Sequence, residues 1–267
     1  MKSINELMSL KGRRALITGA NGHIGQQIAT TIAELGGDLI LVDKLGSNYG
    51  NLLDKLTSNF GIEVQCIDAN LEDKKSRDKL VLKVLNEDIP LNILVNNAAF
   101  VGTSDLGGWA VSLSEQTVET WSRALEVNLT AVFDLSKSLA NKLQESSHAV
   151  IINLGSIYGE LGPNMSLYEG TQMGNPAAYA ASKGGVIQLT RWLSTSLAPH
   201  IRVNTLSPGG VYRDQPKKFV NRFESMVPLG RMASEQDLKG AIAYLSSDLS
   251  EYVTGQNIVV DGGWSAW

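Results

Sequence analysis

The chain has 267 residues, of which 43% are hydrophobic and 19% charged, enough for one large α/β domain or two small ones with a substantial core. Its net charge of −4 argues against nucleic acid or an anionic membrane as the main partner, and no apolar run approaches the roughly 20 residues that span a bilayer. A single cysteine and three scattered histidines exclude a disulfide framework and predict no metal site.

Short apolar, β-branched runs recur along the chain with helical patterns between them, which indicates alternating strands and helices. Runs with little polar alternation are typical of strands buried on both faces, as in a parallel sheet covered by helices. The sequence therefore predicts one Rossmann-type α/β domain over residues 1–267, with a doubly wound parallel β-sheet of about seven strands and helices on both faces. The predicted strands are 14–18, 38–43, 63–68, 92–97, 149–156, 202–208 and 257–263.

The stretch TGANGHIG, residues 18–25, follows the first predicted strand and opens a predicted helix. Its glycines form a G-x-x-G-x-x-G pattern, in which Gly19 makes a tight turn, Gly22 admits a pyrophosphate and Gly25 lets the helix pack on the sheet. Free N–H groups at the helix N-terminus would then meet the phosphates. His23 either donates to those phosphates or points to solvent. An ordinary βα turn that contains glycines is the alternative.

Asp43 ends the second predicted strand, 18 residues after Gly25. A carboxylate at this place accepts hydrogen bonds from the adenosine ribose hydroxyls and repels a 2′-phosphate, which predicts NAD rather than NADP. Lys44 is the opposing signal, because a cation beside the ribose accommodates that phosphate. The alternative for Asp43 is a turn residue at the end of a strand.

Tyr179 and Lys183, in YAASK, lie four residues apart and therefore on one face of a predicted helix. A phenol titrates near pH 10 and acts as a base near neutrality only when its anion is stabilised. A lysine ammonium one turn away stabilises that anion and so lowers the pKa of the phenol. The pair thus predicts acid–base chemistry, although the pattern alone is common.

Motifs along the whole chain resemble, in order, those of the compact branch of the short-chain dehydrogenase/reductase family. The similar stretches are ALITGANGHIG, CIDANLED, LNILVNNAA, LEVNLTAVF, IINLGSIYG, YAASKGG, RVNTLSPGGV and YVTGQNIVVDGG. The resemblance implies hydride transfer between a substrate carbon and a nicotinamide, so that the protein positions, polarises and moves a proton.

The same resemblance implies four catalytic residues. Tyr179 would be the general acid/base, and Lys183 would bind the nicotinamide ribose and lower the tyrosine pKa. Ser156 would hydrogen-bond the reacting oxygen, and Asn128 would hold a water in a proton relay. The implied cofactor residues are Gly19, Asn21, Gly22, His23, Ile24, Gly25, Asp43, Asp68, Ala69, Asn97, Ala98, Tyr179, Lys183, Pro208, Gly209 and Val211.

Some positions depart from the family pattern. Arg213 stands where a threonine often contacts the carboxamide, so that contact is in doubt. Ser156 and Tyr179 are 23 residues apart, whereas about a dozen is customary. Tyr168 lies at nearly the customary distance, but Gln172 stands where its lysine is needed, so Tyr179 is the preferred catalytic residue.

Two segments, 159–178 and 209–228, follow strand ends and are too rich in Gly, Pro and polar residues for regular elements. Long loops at this edge of a sheet often bind substrate. Their polar side chains suit a sugar better than a steroid or a long acyl chain, with Tyr168, Gln172, Asn175 and Arg213 as candidate substrate residues. A solvated, charged lid helix is the alternative for the lysines of the second segment.

The first of these loops is similar to that of members associated with flagellin modification and surface-glycan sugars. The predicted function is an NAD-dependent oxidoreductase that interconverts a hydroxyl and a ketone on a sugar, amino sugar or sugar phosphate of surface-glycan metabolism. The alternatives are a 3-ketoacyl or polyol dehydrogenase, and a non-catalytic NAD-binding sensor on the same fold. The complete catalytic set argues against the sensor.

The resemblance also implies a homo-oligomer, a tetramer or a dimer, built on helices around 117–143 and 177–197 and on the C-terminal strand. Trp192, Trp264 and Trp267 are candidate interface residues, and a core position is the alternative for Trp192. No apolar signal sequence stands near the N-terminus, so we expect a cytoplasmic protein with a small-molecule substrate and neither nucleic acid nor membrane as partner.

Overall fold

Seven parallel strands form one sheet in the order β3-β2-β1-β4-β5-β6-β7 in the computed structural model, which describes residues 1–101, 104 and 106–267. The fold class predicted from the sequence is confirmed. The strands are β1 (Arg14–Thr18), β2 (Asp38–Asp43), β3 (Val64–Asp68), β4 (Ile93–Asn96), β5 (Ala149–Leu154), β6 (Ile201–Pro208) and β7 (Asn257–Val260).

Helices cover both faces of this sheet. Alternate residues of each strand point to opposite faces, so apolar strands supply a buried cluster on each side. Ile17 packs with Ile28 and Ile242 in one buried cluster. The neighbouring Leu16 belongs to the other cluster, with Leu80 and Leu193. The helices are α1 (Ile4–Met8), α2 (His23–Glu34), α3 (Gly50–Phe60), α4 (Lys74–Leu85), α5 (Val118–Leu125), α6 (Ala131–Ser138), α7 (Ala140–Gln144), α8 (Ala177–Ser196), α9 (Lys217–Ser225) and α10 (Lys239–Ser246).

The segment 209–228 corrects one expectation from the sequence, since most of its second half is the helix α9. Phe219 and Phe223, four residues apart, are buried on one face of this helix. Phe223 stacks on Trp264, with ring centroids 4.5 Å apart, and both phenylalanines pack with Leu167 of the other predicted loop. Aromatic spacing at i and i+4 was the sequence signal for this helix, and the surrounding Lys, Asn and Glu residues obscured it.

The order of the strands locates a groove on the sheet. Chain order reverses between β1 and its neighbour β4, which pair in parallel from Ala15–Ile93 to Ile17–Val95. In open α/β sheets, ligands bind outside the carboxyl ends of the strands at such a reversal. Thr18 ends β1 and Asn97 follows β4, so the glycine turn and the NNAA segment meet there.

A single π-helical turn, Glu126–Thr130, joins α5 to α6 and carries the buried Asn128. Arg77 of α4 makes ion pairs with this turn and with α6. Its guanidinium nitrogens lie 2.7 Å from the Glu126 carboxylate and 2.7 Å from the Asp134 carboxylate. Arg77 also donates to the Leu71 carbonyl at 2.6 Å and is only 2% exposed. The ion pairs therefore link α4 to the helix that carries a candidate site residue.

Within the described part of the chain, none of the helices combines the length and the hydropathy needed to cross a bilayer.

We expect Arg77→Met to lower the free energy of unfolding by about 2–4 kcal/mol, because it leaves two partly buried carboxylates without their cation. Urea denaturation followed by circular dichroism measures this loss. Lys74→Met is the matched control, since Lys74 pairs with Asp78 on the exposed face of the same helix. Equal losses in the two variants would contradict the structural role given to Arg77.

Candidate active site

The glycine turn after β1 is built by close backbone approach. Gly19 has a φ of +63°, and its carbonyl accepts from the Gly22 N–H at 3.2 Å. A Cβ atom on Gly25 would overlap the Gly19 carbonyl oxygen and lie 2.8 Å from Ala20 Cα. The absence of a side chain at Gly25 therefore lets α2 pack closely against the turn that directly follows β1. A side chain at this position would push α2 off the turn.

The first turn of α2 is open to a ligand. Gly22 is the N-cap residue and has no side chain to cap the helix, so the leading N–H groups stay available. His23, Ile24 and Gly25 all line a groove of about 990 Å³. Uncapped N–H groups and the helix dipole together favour a phosphate group.

Three polar side chains hold the turn in place. The Asp43 carboxylate accepts from the backbone N–H of Asn21 and of Lys44, each at 2.8 Å. Asn97 donates through Nδ2 to the carbonyls of Thr18 at 2.9 Å and Gly19 at 3.0 Å. The Thr18 hydroxyl in turn accepts from the Asn97 N–H at 3.0 Å. Asp43 thus braces the turn as well as standing beside the expected ribose.

The groove is lined by every cofactor residue implied by the sequence except Asp68. Asp68 instead lines a separate cavity with Tyr49 and Cys66. The following residue, Ala69, does line the groove. The cofactor contact expected of Asp68 stays a prediction, and the groove supports it for Ala69 only.

Ser156, Tyr179 and Lys183 line the inner end of the same groove. Tyr179 and Lys183 lie one turn apart on α8, and Lys183 Nζ is 5.7 Å from the centre of the Tyr179 ring. Lys183 Nζ donates to the Leu154 carbonyl at 2.6 Å, and burial lowers the pKa of this lysine to about 8. At neutral pH this lysine is mostly protonated.

Burial raises the pKa of Tyr179, while hydrogen bonding with Ser156 and the charge of Arg213 act in the opposite direction. In the protein without ligands, desolvation of the phenol outweighs the other contributions, and Lys183 is not among the groups that shift this pKa. The Lys183 ammonium donates to the Leu154 carbonyl here, and the lowering expected from Lys183 stays a prediction.

Asn128 lies beneath the groove rather than in its lining. Its Nδ2 donates to the Phe100 carbonyl at 3.0 Å and to the Ser182 hydroxyl at 3.1 Å, and its Oδ1 accepts from the Phe100 N–H at 2.7 Å. Both amide hydrogens are therefore used, so the side chain is not free to hold a water as a donor. The side chain therefore ties α8 to the Phe100 segment, and the water-holding role expected of Asn128 stays a prediction.

Three of the four candidate substrate residues line the groove: Tyr168, Asn175 and Arg213. The fourth, Gln172, is exposed and lies outside the lining. The physical reason is a tight turn, in which the N–H and hydroxyl of Thr171 both donate to the Tyr168 carbonyl, at 3.1 and 2.7 Å. This turn directs Gln172 to solvent, so the prediction for it is corrected.

Two lining or flanking residues escaped the sequence reasoning. The Tyr158 hydroxyl is 3.1 Å from that of Tyr168, and burial raises the pKa of Tyr158. Its position two residues after Ser156 was the available signal. Glu235 Oε1 is 3.3 Å from Arg213 Nε and 3.8 Å from Nδ1 of the largely exposed His23. Glu235 comes from a distant segment, and no motif marks it.

Among the described residues there is no cluster of three or more His, Cys, Asp or Glu that could hold a metal ion.

Comparison with known proteins agrees with this geometry. A family model described as Enoyl-(Acyl carrier protein) reductase matches residues 19–265. The 3-oxoacyl-(acyl-carrier-protein) reductase FabG of Escherichia coli (strain K12) is 30% identical, over 96% of this chain and 98% of its own. The 2-dehydro-3-deoxy-D-gluconate 5-dehydrogenase of Dickeya dadantii (strain 3937) is 32% identical, over 97% of both chains.

Solved structures of similar fold contain nicotinamide cofactors. A short chain dehydrogenase from Leptospira borgpetersenii serovar Hardjo-bovis (strain JB197), with bound NAD+, has a TM-score of 0.83 and 30% identity, covering 99% of this chain and 96% of that one. A gluconate 5-dehydrogenase from Burkholderia cenocepacia J2315, in complex with NADP and tartrate, has a TM-score of 0.85 and 26% identity, covering 99% and 100%.

The fold and the groove define an α/β oxidoreductase that uses a nicotinamide dinucleotide. The chain belongs to the short-chain dehydrogenase/reductase family, whose members act on CH–OH groups. The groove fits such a cofactor, because glycine backbone and uncapped N–H groups stand at one end and Tyr179 and Lys183 at the other.

The lowered pKa of Lys183 predicts a rise in stability with pH for the protein without ligands. Between pH 8 and the ordinary lysine pKa of 10.5, the unfolded chain binds more protons at this position than the native protein does. The free energy of unfolding of wild type minus that of Lys183→Met should therefore increase by about 1–3 kcal/mol from pH 7 to pH 10. Denaturant titrations at a series of pH values measure it. Lys55→Met, which replaces an exposed lysine in the same way, is the control. If the difference in free energy of unfolding between wild type and Lys183→Met does not change with pH, the prediction is refuted.

Proposed function

We propose that the protein is an NAD-dependent dehydrogenase/reductase that interconverts a hydroxyl and a ketone by acid–base catalysis at Tyr179. The observation that carries this proposal is the convergence of Ser156, Tyr179 and Lys183 at the inner end of a groove whose outer end suits a dinucleotide. We further propose that residues 1–267 act as one unit, with substrate loops at about 159–178 and 209–228.

A bound nicotinamide dinucleotide supplies the hydride donor or acceptor. The side chains of this chain supply the proton and the orientation. In oxidation Tyr179 accepts the proton of the substrate hydroxyl, and in reduction it returns a proton to the carbonyl oxygen. Ser156 donates a hydrogen bond to that oxygen and fixes its position beside the phenol. The Lys183 ammonium stabilises the tyrosine anion when the proton has left.

A sugar, amino sugar or sugar phosphate is the substrate class that we propose. Tyr168 and Asn175 bring polar groups from the first loop to the groove, and Arg213 brings a cation from the second. The sugar-acid names of the Dickeya and Burkholderia proteins agree with this class. A role in flagellin modification or in surface-glycan metabolism is part of the same proposal and rests on the sequence of the 159–178 loop.

A 3-ketoacyl reductase is the second candidate, and a specific feature favours it. Phe219, Phe223 and Met232 give the groove an apolar wall. The description of the matching family model and the FabG relative belong to the same chemistry. We favour the sugar because buried polar groups, among them Asn175, line the same groove as Tyr179, and an acyl chain would leave them without partners.

A homo-oligomer, a tetramer or a dimer, is also part of the proposal. Trp192 on α8 is 57% exposed and Trp267 is 81% exposed, which is unusual for tryptophan and suits residues covered by a second copy. The exposure of Trp192 excludes a core position for it. Trp264 instead stacks on Phe223 within the chain.

Replacement of Tyr179 tests the mechanism. We expect Tyr179→Phe to lower kcat by roughly 10²–10⁴-fold, because the phenol oxygen carries the transferred proton. The assay follows NADH formation from NAD+ with sugars, amino sugars, sugar acids and sugar phosphates, and NADH consumption with 3-ketoacyl thioesters and steroid ketones as the competing panel. Tyr212→Phe, an exposed tyrosine outside the groove, is the control. Equal turnover by wild type and Tyr179→Phe would contradict the role of Tyr179 as acid and base. Turnover of the competing panel alone would contradict the proposed sugar substrate.

The charge of Asp43 tests the preference for NAD. We expect wild type to have the higher kcat/KM with NAD+, and Asp43→Asn to shift the NAD+/NADP+ ratio toward NADP+ by roughly 10-fold, because a carboxylate beside the ribose repels a 2′-phosphate. Asparagine keeps an oxygen that can accept from the Asn21 N–H. Lys44→Ala should move the ratio the other way and serves as the opposite control. A wild type that favours NADP+ would contradict the proposal.

A further inference from the structure

A buried amide oxygen without a partner lines the inner part of the groove. Asn175 is 8% exposed, and its Nδ2 donates to the Tyr168 hydroxyl at 3.2 Å. Its Oδ1 accepts no hydrogen bond from the described residues. Of the buried polar side-chain atoms without a partner in that part of the chain, this is the one whose residue lines the groove. Such an atom costs free energy unless a ligand or water satisfies it.

The amide is held in one orientation by its surroundings. The Tyr168 hydroxyl that accepts from Nδ2 also bonds the Tyr158 hydroxyl at 3.1 Å. The Tyr168 ring packs on Phe219, with centroids 5.5 Å apart. Nδ2 uses one of its two hydrogens in this network, whereas Oδ1 has no partner among the described residues. The oxygen is therefore the atom of this amide that a ligand hydrogen-bond donor would satisfy.

The backbone around this amide is also fixed. A Cβ atom on Gly174 would lie 2.8 Å from the Ala110 carbonyl oxygen, so the chain passes close to the 110 segment there. On the other side Pro176 is the N-cap residue of α8 and restricts the backbone of the residue before it. Asn175 is therefore mounted on rigid backbone between two packed segments.

The position of the amide relates it to the reacting group. Asn175 stands four residues before Tyr179, directly ahead of the helix that carries this tyrosine. Gly174, the residue before Asn175, lies against Ala110, and Ala110 packs against the same buried cluster as Tyr179. Asn175 and Tyr179 both line the groove, so the amide oxygen without a partner and the phenol belong to the same cavity.

We propose that Asn175 is a specificity-determining residue whose Oδ1 accepts a hydrogen bond from a substrate hydroxyl on the carbon next to the reacting one. This inference rests on the proposed function and narrows its substrate to α-hydroxy ketones and the corresponding vicinal diols. A carboxylate or phosphate has no hydrogen to donate to this oxygen, so an acidic group of the substrate binds elsewhere. A substrate without the hydroxyl leaves the amide oxygen buried and unpaired, which disfavours it.

Two small ketones test the inference directly. The compounds 3-hydroxybutan-2-one and butan-2-one each have one reacting carbonyl and differ by one hydroxyl on the neighbouring carbon. Wild type should reduce the hydroxyketone with a kcat/KM at least about 10-fold higher, and Asn175→Leu should bring the two values within about 3-fold. The change should come from a fall for the hydroxyketone, with the value for butan-2-one kept or raised.

The controls distinguish an effect of Asn175 from a general effect of the loop, and failure of this inference from failure of the proposed function. Gln172→Ala, in the same loop but outside the groove, should keep the wild-type ratio. Thermal unfolding checks the fold of each variant, and Asn175→Ala replaces the leucine variant where that one unfolds. A wild-type ratio below about 3-fold overturns the inference, as does a preference that survives both Asn175 variants. Either result with Tyr179-dependent turnover leaves the proposed function standing, whereas turnover that ignores Tyr179→Phe overturns the proposed function.

Discussion

The approach of α2 to the glycine turn is the contact on which the rest of the site depends. Gly25 lies against the Gly19 carbonyl so closely that no Cβ atom fits between them. This contact sets where the helix begins and therefore where its free N–H groups point. Because the turn follows β1 at the reversal of strand order, the sheet sets the position of the end of the groove at which we expect phosphates to bind.

The polar groups around the turn do two jobs. Asp43 accepts from the Asn21 N–H, and Asn97 donates to the Thr18 and Gly19 carbonyls, so β2 and the segment after β4 both brace it. The same carboxylate stands where a ribose is expected. A substitution at Asp43 therefore affects both cofactor choice and the geometry of the turn, which is why asparagine is the informative replacement.

Burial dominates the electrostatics at the catalytic end of the groove. It raises the pKa of Tyr179 and lowers that of Lys183, so both shifts favour the neutral forms. A neutral phenol is ready to donate a proton, which suits the reduction of a ketone. A bound cofactor would change the surroundings of Lys183. The pKa values that matter for proton transfer are therefore those of the complex rather than those of the free protein.

Local patterns in the sequence were sufficient for much of this picture. The β-branched runs predicted the seven strands, because a parallel sheet buried on both faces needs continuous apolar segments. The glycine turn, Asp43 and the Tyr179–Lys183 pair each work through neighbours in the chain, so their spacing carried the information. The helix α9 stood only as the alternative for its segment, because just two phenylalanines are buried and the rest of its pattern is polar.

By itself, therefore, the sequence determined the sheet, the glycine turn and the candidate acid–base pair, since each depends on residues that are close in the chain. The tertiary structure decided that Asp68 and Gln172 lie outside the lining of the groove, that Asn128 bonds Phe100, and that the amide oxygen of Asn175 has no partner among the described residues. These depend on hydrogen bonds and packing between segments far apart in sequence. Such contacts leave no periodic pattern along the chain, because each partner is supplied by a separate element of the fold.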